Sequence, residues 1–201
     1  GNCGSFNLGI LLVDEGKGGL THEFFAMILE GFKSEAERRG YDVTFINHNI
    51  GRTAMSYLEH CRYRNVDGVC LACADFTTPQ VSELAMAALP CITIDHVYPG
   101  RACVFSENQQ GMDALVRHAF ALGHRRIAYA HGQPSVVTEH RISGYRQAMA
   151  ACGIAICPEW LQPCAYSRPD QGREAALKLL RLPDPPTCLL MPDDYACLGA
   201  L

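Results

Sequence analysis

Three absences narrow what this chain does. It has no excess of base: 17 Lys and Arg stand against 21 Asp and Glu, for a formal net charge of −4. The longest basic cluster, His124-Arg125-Arg126, is too short to follow a phosphate backbone and reads as a solvated loop, so these residues do not grip nucleic acid by themselves. It has no long apolar run either. Charges or glycines interrupt every hydrophobic stretch well short of the roughly 20 residues that a membrane-spanning helix needs. Nor does it have a disulfide framework: the 11 cysteines are odd in number and dispersed. Most of them (Cys70, Cys73, Cys91, Cys103, Cys188, Cys197) sit in apolar runs, as small hydrophobes do in a reducing compartment. The cytoplasm is the expected location.

The familiar chemical motifs are missing as well. Cys70-Leu-Ala-Cys73 has the spacing of a metal or redox pair, but residues three apart on a strand face opposite ways, and no second Cys or His pair stands at ligand spacing. Core packing is the simpler reading, and neither metal nor cofactor is expected. The GKGG at 16–19 is not a Walker A loop: Gly18 follows Lys17 where Ser or Thr is needed, and Leu11 stands where the first glycine belongs. A rim loop is the alternative. No Ser or Cys sits in a G-x-S-x-G turn. An enzyme would have to rely on acids such as Asp14, Asp75 or Asp95, which read more simply as loop caps, so no catalytic residue is nominated.

What is present is an alternation of short apolar runs with amphipathic helical ones. NLGILLVDE reads as a buried strand, followed by a helix capped at Thr21, buried through Phe24, Phe25, Ile28, Leu29 and Phe32, and stopped at Gly40. DVTFINHN, VDGVCLACAD, PCITIDHV and ACVFSE read as further strands. Helices are expected over 52–64, from the Thr77-Thr78 cap to Ala88, and from Asn108 to a stop at Gly123. RIAYAHG begins a second set of strands, with ICPEWLQPCAYS extended and TCLLMPDD last. Helices fall between them, one ending at Ala151 and one running from Pro169 to Leu180. Strands spaced by helices in this way are βαβ units of a mostly parallel sheet. The spacing predicts an α/β chain of two tandem doubly wound sheets, five strands and then three, joined at LGHRR. Ligands of such sheets bind beyond the carboxyl ends of the strands.

Taken together these segments resemble the effector-binding domain of the lactose-repressor (LacI/GalR) family of bacterial transcription regulators. The resemblance runs through LGILLVDE, HEFFAMILEGFKSEAERRGYDV, VDGVCLACAD, LPCITIDHV, the N-x-x-G of 108–111, LGHRRIAY, R-x-x-GYRQAM and PTCLLMPDDYACLGAL. The pair LGHRRIAY and RISGYRQAM is its most specific part. It implies a periplasmic-binding-protein-like fold of type I, with an N-terminal lobe over 6–124, an incomplete C-terminal lobe over 125–201 and a hinge near 123–127. A small molecule, expected to be a sugar, would sit in the cleft between the lobes. A homodimer is implied too, with operator DNA held only through an upstream helix-turn-helix that this stretch does not contain, and with the end of the effector domain beyond Leu201. An exported periplasmic-type sugar receptor on the same fold is the alternative, and it would tolerate so many cysteines poorly.

The resemblance also assigns residues. Arg141 aligns with an arginine that holds ligand hydroxyls, since a guanidinium fork suits two neighbouring oxygens; the plain alternative is a surface arginine paired with Glu139. Asp193 stands where the family most often has Asn, so it faces ligand or serves structure, while Asp194 is the expected cap of the last helix. Tyr166 either lies against the sugar's apolar face or packs in the core. Of Phe24 and Phe25, one is expected in the cleft and the other in the core. His22, Asn108, Gln110 and Asp95 complete the expected ligand set.

Overall fold

Residues 4–13 and 23–201 are described by a computed structural model of the chain. His22, the Thr21 cap, the loop at 16–19 and Asp14 lie outside the described residues. By packing the chain divides into two units, Gly1–Phe105 and Ser106–Leu201.

In the first unit, β1 (Asn7–Leu12), β2 (Asp42–Ile46), β5 (Gly68–Cys73), β6 (Cys91–Ile94) and β7 (Ala102–Val104) form one sheet in the order β2-β1-β5-β6-β7. Every pairing in it is parallel. Both faces are covered, which is why the strands are near-continuous apolar runs. Ile10, Cys70 and Ala72 meet α1 (Glu23–Arg38) through its Ile28, Leu29 and Phe32. Leu11, Val69 and Leu71 point the other way, into a core shared with α2 (Tyr57–Tyr63) and α3 (Pro79–Met86). The sheet is therefore doubly wound. Cys70 is packing, and the Cys73 thiol lies on the Val13 carbonyl.

Two expectations fail here for local reasons. Phe24 is 45% exposed rather than buried. At 3.6 residues per turn it stands about 120° round the helix from the buried Ala36, whereas Phe25 stands about 20° away. The helix expected from residue 52 begins later. A small hairpin comes first, with β3 (Asn49–Ile50) antiparallel to β4 (Thr53–Ala54), turned at Gly51 with φ 58°. α2 then starts at a capping box: the Ser56 hydroxyl accepts from the Glu59 N–H at 3.2 Å and the Glu59 carboxylate accepts from the Ser56 N–H at 2.7 Å.

The second unit holds α4 (Asn108–Ala121), β8 (Ile127–His131), α5 (Val136–Ala151), β9 (Leu161–Pro163), α6 (Pro169–Leu180), β10 (Cys188–Leu190) and α7 (Asp194–Ala200). A single 3-10 turn, Pro158–Trp160, precedes β9. Its sheet is parallel, in the order β10-β8-β9. Met112, Val116 and Ala119 of α4 share a core with Ile127, Tyr129, Tyr145 and Met149. That packing puts α4 with the second unit, so the boundary falls after Phe105 and not after His124. The chain passes from one unit to the other ahead of α4 rather than at 123–127. Gly123, at φ 96°, ends α4 as expected, with the His124 N–H reaching back to the Ala119 carbonyl at 3.1 Å.

The R-x-x-G-Y run of α5 is divided between three tasks. Gly144 lets α5 approach α4, because a Cβ there would stand 2.5 Å from the Gln109 carbonyl oxygen. Tyr145 is fully buried and donates its hydroxyl to the Ile127 carbonyl at 2.8 Å. Arg141, one turn earlier, is left at the carboxyl edge of the sheet.

Candidate functional site

The carboxyl ends of β8, β9 and β10 bring together the polar groups of the second unit. α5 begins just beyond β8, capped by Ser135, whose hydroxyl accepts from the Thr138 N–H at 3.1 Å. Thr138 is buried, donates to the Gln133 carbonyl at 2.8 Å and lies 2.8 Å from the Tyr166 hydroxyl. The Gln133 side chain accepts from the Tyr166 N–H at 2.9 Å. Between them Gly132 leaves room for the Tyr166 ring: a Cβ at 132 would stand 2.2 Å from its Cε2. The half-buried tyrosine is thus fixed at its backbone, its hydroxyl and its ring.

Arg141 stands beside it, with its guanidinium carbon 5.7 Å from the centre of the Tyr166 ring. Its Nε donates to Asn108 Oδ1 at 2.8 Å, and Nη1 donates to the Pro192 carbonyl at 2.8 Å. Glu139 is not its partner. Of the five N–H groups of a guanidinium, those two bonds use two, and the rest have no partner among the described residues. Asn108 is itself held, its Nδ2 donating to the Ser106 carbonyl at 3.1 Å. A cavity of about 480 Å³ opens here, lined by Asn108, Arg141, Leu190, Pro192, Asp193 and Asp194 among others.

Asp193, not Asp194, caps α7. One carboxylate oxygen accepts from the Ala196 N–H at 2.8 Å and the other from the Ser167 N–H. Asp193 has the extended backbone of a cap, whereas Asp194 is already helical and exposed. The cap also ties the loop after β9 to the loop after β10, and it leaves Asp193 on the cavity wall.

The other expected residues fall on α4 and in the first unit. Gln110 is exposed on α4. Asp95 follows β6 in the first unit, at φ 56°, with its N–H on the Val104 carbonyl at 2.9 Å. Close to it the Phe76 and His96 rings stack at 4.3 Å, and burial lowers the His96 pKa. Phe24 and Phe25 meet edge to face at 5.3 Å on α1. The first unit also has an apolar depression of about 270 Å³ beside Leu8, Gly68 and Cys91. Those residues lie at the amino ends of the strands, the wrong edge for a ligand. Of the residues that hold Tyr166, Gly132 and Gln133 stand beyond the carboxyl end of β8, where the strand-end rule places ligands, whereas Thr138 was missed. Ser135-x-x-Thr138 directly after a strand was a cap signal that would have placed Thr138 at the edge. Among the described residues no group of three or more His, Cys, Asp or Glu is placed to hold a metal ion.

Two parallel α/β units in one chain, with hydrogen-bonding side chains gathered at a strand edge, have the architecture of the periplasmic-binding-protein-like class. The chain belongs to the family described as periplasmic binding proteins and sugar binding domain of LacI family, whose model matches residues 7–201. It is similar to the HTH-type transcriptional repressor PurR of Mannheimia succiniciproducens, at 26% identity over 89% of this chain and 54% of that protein. The PurR of Haemophilus influenzae (strain PittEE) is 25% identical, again over 89% and 54%. The chain thus spans about half the length of the curated relatives it matches, which are transcriptional repressors and not enzymes. Among solved structures, a regulatory protein of LacI family from Chloroflexus aggregans superposes with a TM-score of 0.83 at 25% identity, over 97% of this chain and 71% of that one. A putative ribose operon repressor from Burkholderia thailandensis gives 0.78 at 28% identity, over 98% and 72%. Among the described residues no helix is long and apolar enough to cross a membrane.

Proposed function

We propose that this chain is the effector-sensing core of a cytoplasmic DNA-binding transcription regulator, and that its effector is a sugar bound at the Arg141 edge of the second unit. The observation that carries this reading is the Arg141 fork. It is anchored by Asn108 and Pro192 while keeping further N–H groups for a ligand, with the Tyr166 ring fixed alongside. A planar fork of donors matches two adjacent hydroxyl oxygens, and an aromatic face accepts the C–H face of a pyranose or furanose ring. Operator DNA would be held by a helix-turn-helix outside this stretch. The effector acts on it only to the extent that it binds one conformation of the regulator better than the other.

A thermal-shift panel of D-ribose, D-glucose and D-galactose, with adenine as a planar control, tests the effector class. One aldose is expected to raise the melting temperature by roughly 5–10 °C at a hundredfold excess over its Kd. A shift with adenine alone would replace the sugar by a flat heterocycle. The regulator is also proposed to work as a homodimer, in keeping with exposed apolar side chains such as Met27 (70%) and Phe45 (44%) on the first unit. Light scattering of the full-length protein at micromolar concentration is expected to give twice the chain mass, and a monomer would contradict it.

A further inference from the structure

The first turn of α4 is fastened to α5 by three contacts. Arg141 Nε donates to Asn108 Oδ1 at 2.8 Å, and Gln109 Nε2 donates to Gln147 Oε1 at 2.7 Å. The third is the close approach of the Gln109 carbonyl to Gly144. The covalent crossing from the first unit, Phe105 to Ser106, lies directly ahead of this turn. Its Ser106 carbonyl accepts twice from Asn108, from the backbone N–H at 2.7 Å and from Nδ2 at 3.1 Å.

A chain of hydrogen bonds therefore runs from the Arg141 guanidinium, through one buried side chain, to the backbone of the crossing. It depends on which way the Asn108 amide faces. A guanidinium only donates, so Arg141 requires Oδ1 towards itself, and that turns Nδ2 towards the Ser106 carbonyl. With the amide turned over, Oδ1 would meet that carbonyl, oxygen against oxygen. The guanidinium is also rigid and planar. A ligand that bonds the free N–H groups and aligns the fork aligns Nε–H at the same time. Occupancy of the fork thus fixes the Asn108 amide, and through it the first carbonyl of the second unit.

We propose that Asn108 is a positioning residue that couples effector binding at Arg141 to the crossing between the units. The inference rests on the effector-site reading above. Both ends of the Asn108 amide are already bonded, so it acts through Arg141 and not on the effector. The effector then favours the conformation in which the crossing is held, which is the differential affinity that a switch requires.

Hydrogen exchange of the full-length protein, read at the Asn108 amide, tests this without and with ligand. Without ligand, Arg141→Ala is expected to speed that exchange about tenfold. In an Asn108→Leu background the same change should add nothing, because the link is already cut. Equal acceleration in both backgrounds, or none in either, would overturn the proposal. With ligand, the sugar among D-ribose, D-glucose and D-galactose that binds wild type is expected to slow the exchange. Asn108→Asp keeps an acceptor for Arg141 but has no donor for Ser106. It should bind that sugar as wild type does by calorimetry and lose the slowing. A merely structural role would not separate the two readouts. Slowing that survives in Asn108→Asp, or that is missing from wild type when the sugar binds, would overturn the coupling and leave the site standing. Binding lost in Asn108→Asp would make Asn108 part of the binding surface and overturn the proposal as well. If wild type takes up none of the three sugars, the carbohydrate reading fails, and the ligand-free comparison decides whether Arg141 and the crossing are linked.

Discussion

Arg141→Ala is expected to weaken effector binding at least a hundredfold and to lower stability at the same time. Two charge-assisted hydrogen bonds to ligand oxygens, at about 1.5–3 kcal/mol each, set the first figure. The second follows from what Arg141 does without ligand. Its removal strips a donor from Asn108, which is 8% exposed, and from the Pro192 carbonyl. An unsatisfied buried acceptor costs about 1–3 kcal/mol, so the urea midpoint should fall as well. Arg141→Lys separates the two effects. A single ammonium can keep one anchor but offers no planar fork, so stability should recover more than affinity does. Calorimetry and urea unfolding on the three proteins check this, and an affinity within threefold of wild type in Arg141→Ala would remove that residue from the site.

Gly132→Ala is expected to displace Tyr166 and so damage the site without touching any ligand contact directly. Gly132 does not have the positive φ that would itself disfavour alanine, so the effect is steric. The added Cβ would stand 2.2 Å from Cε2 of Tyr166, a residue whose hydroxyl is held by Thr138 and whose backbone N–H is held by Gln133. Forced overpacking of this kind costs about 1–3 kcal/mol. The double variant Gly132→Ala with Tyr166→Ala removes the clash, so its stability loss should be smaller than the sum of the two single losses. Additive losses would mean that the ring and position 132 do not meet.

Much of the fold was legible because its signals are local. Parallel strands covered on both faces are continuous apolar runs, and glycines at 40 and 123 end helices by adopting a left-handed backbone. The hairpin at 49–54 was not legible, since its two-residue strands are too short to carry a period, although Gly51 and the S-x-x-E of Ser56 and Glu59 marked its turn and the helix start. Where α4 belongs was also hidden. Its apolar stripe reads the same whichever sheet it covers, and only the approach at Gly144 and the contact with Tyr129 and Tyr145 decide it.

The site divides in the same way. Arg141 could be singled out because its motif travels with it. Its anchors Asn108 and Pro192 stand 33 and 51 residues away, and no spacing rule connects them. The choice between Asp193 and Asp194 as cap turned on a single backbone position. Gly132 and Thr138 earn their roles only through the distant Tyr166 ring.

The most direct test of the central claim is a crystal structure of this chain with the aldose that most raises its melting temperature. Two adjacent sugar oxygens are expected within hydrogen-bond reach of the Arg141 guanidinium, with Tyr166 against the ring. A sugar bound elsewhere, with the Arg141 fork untouched, would contradict it.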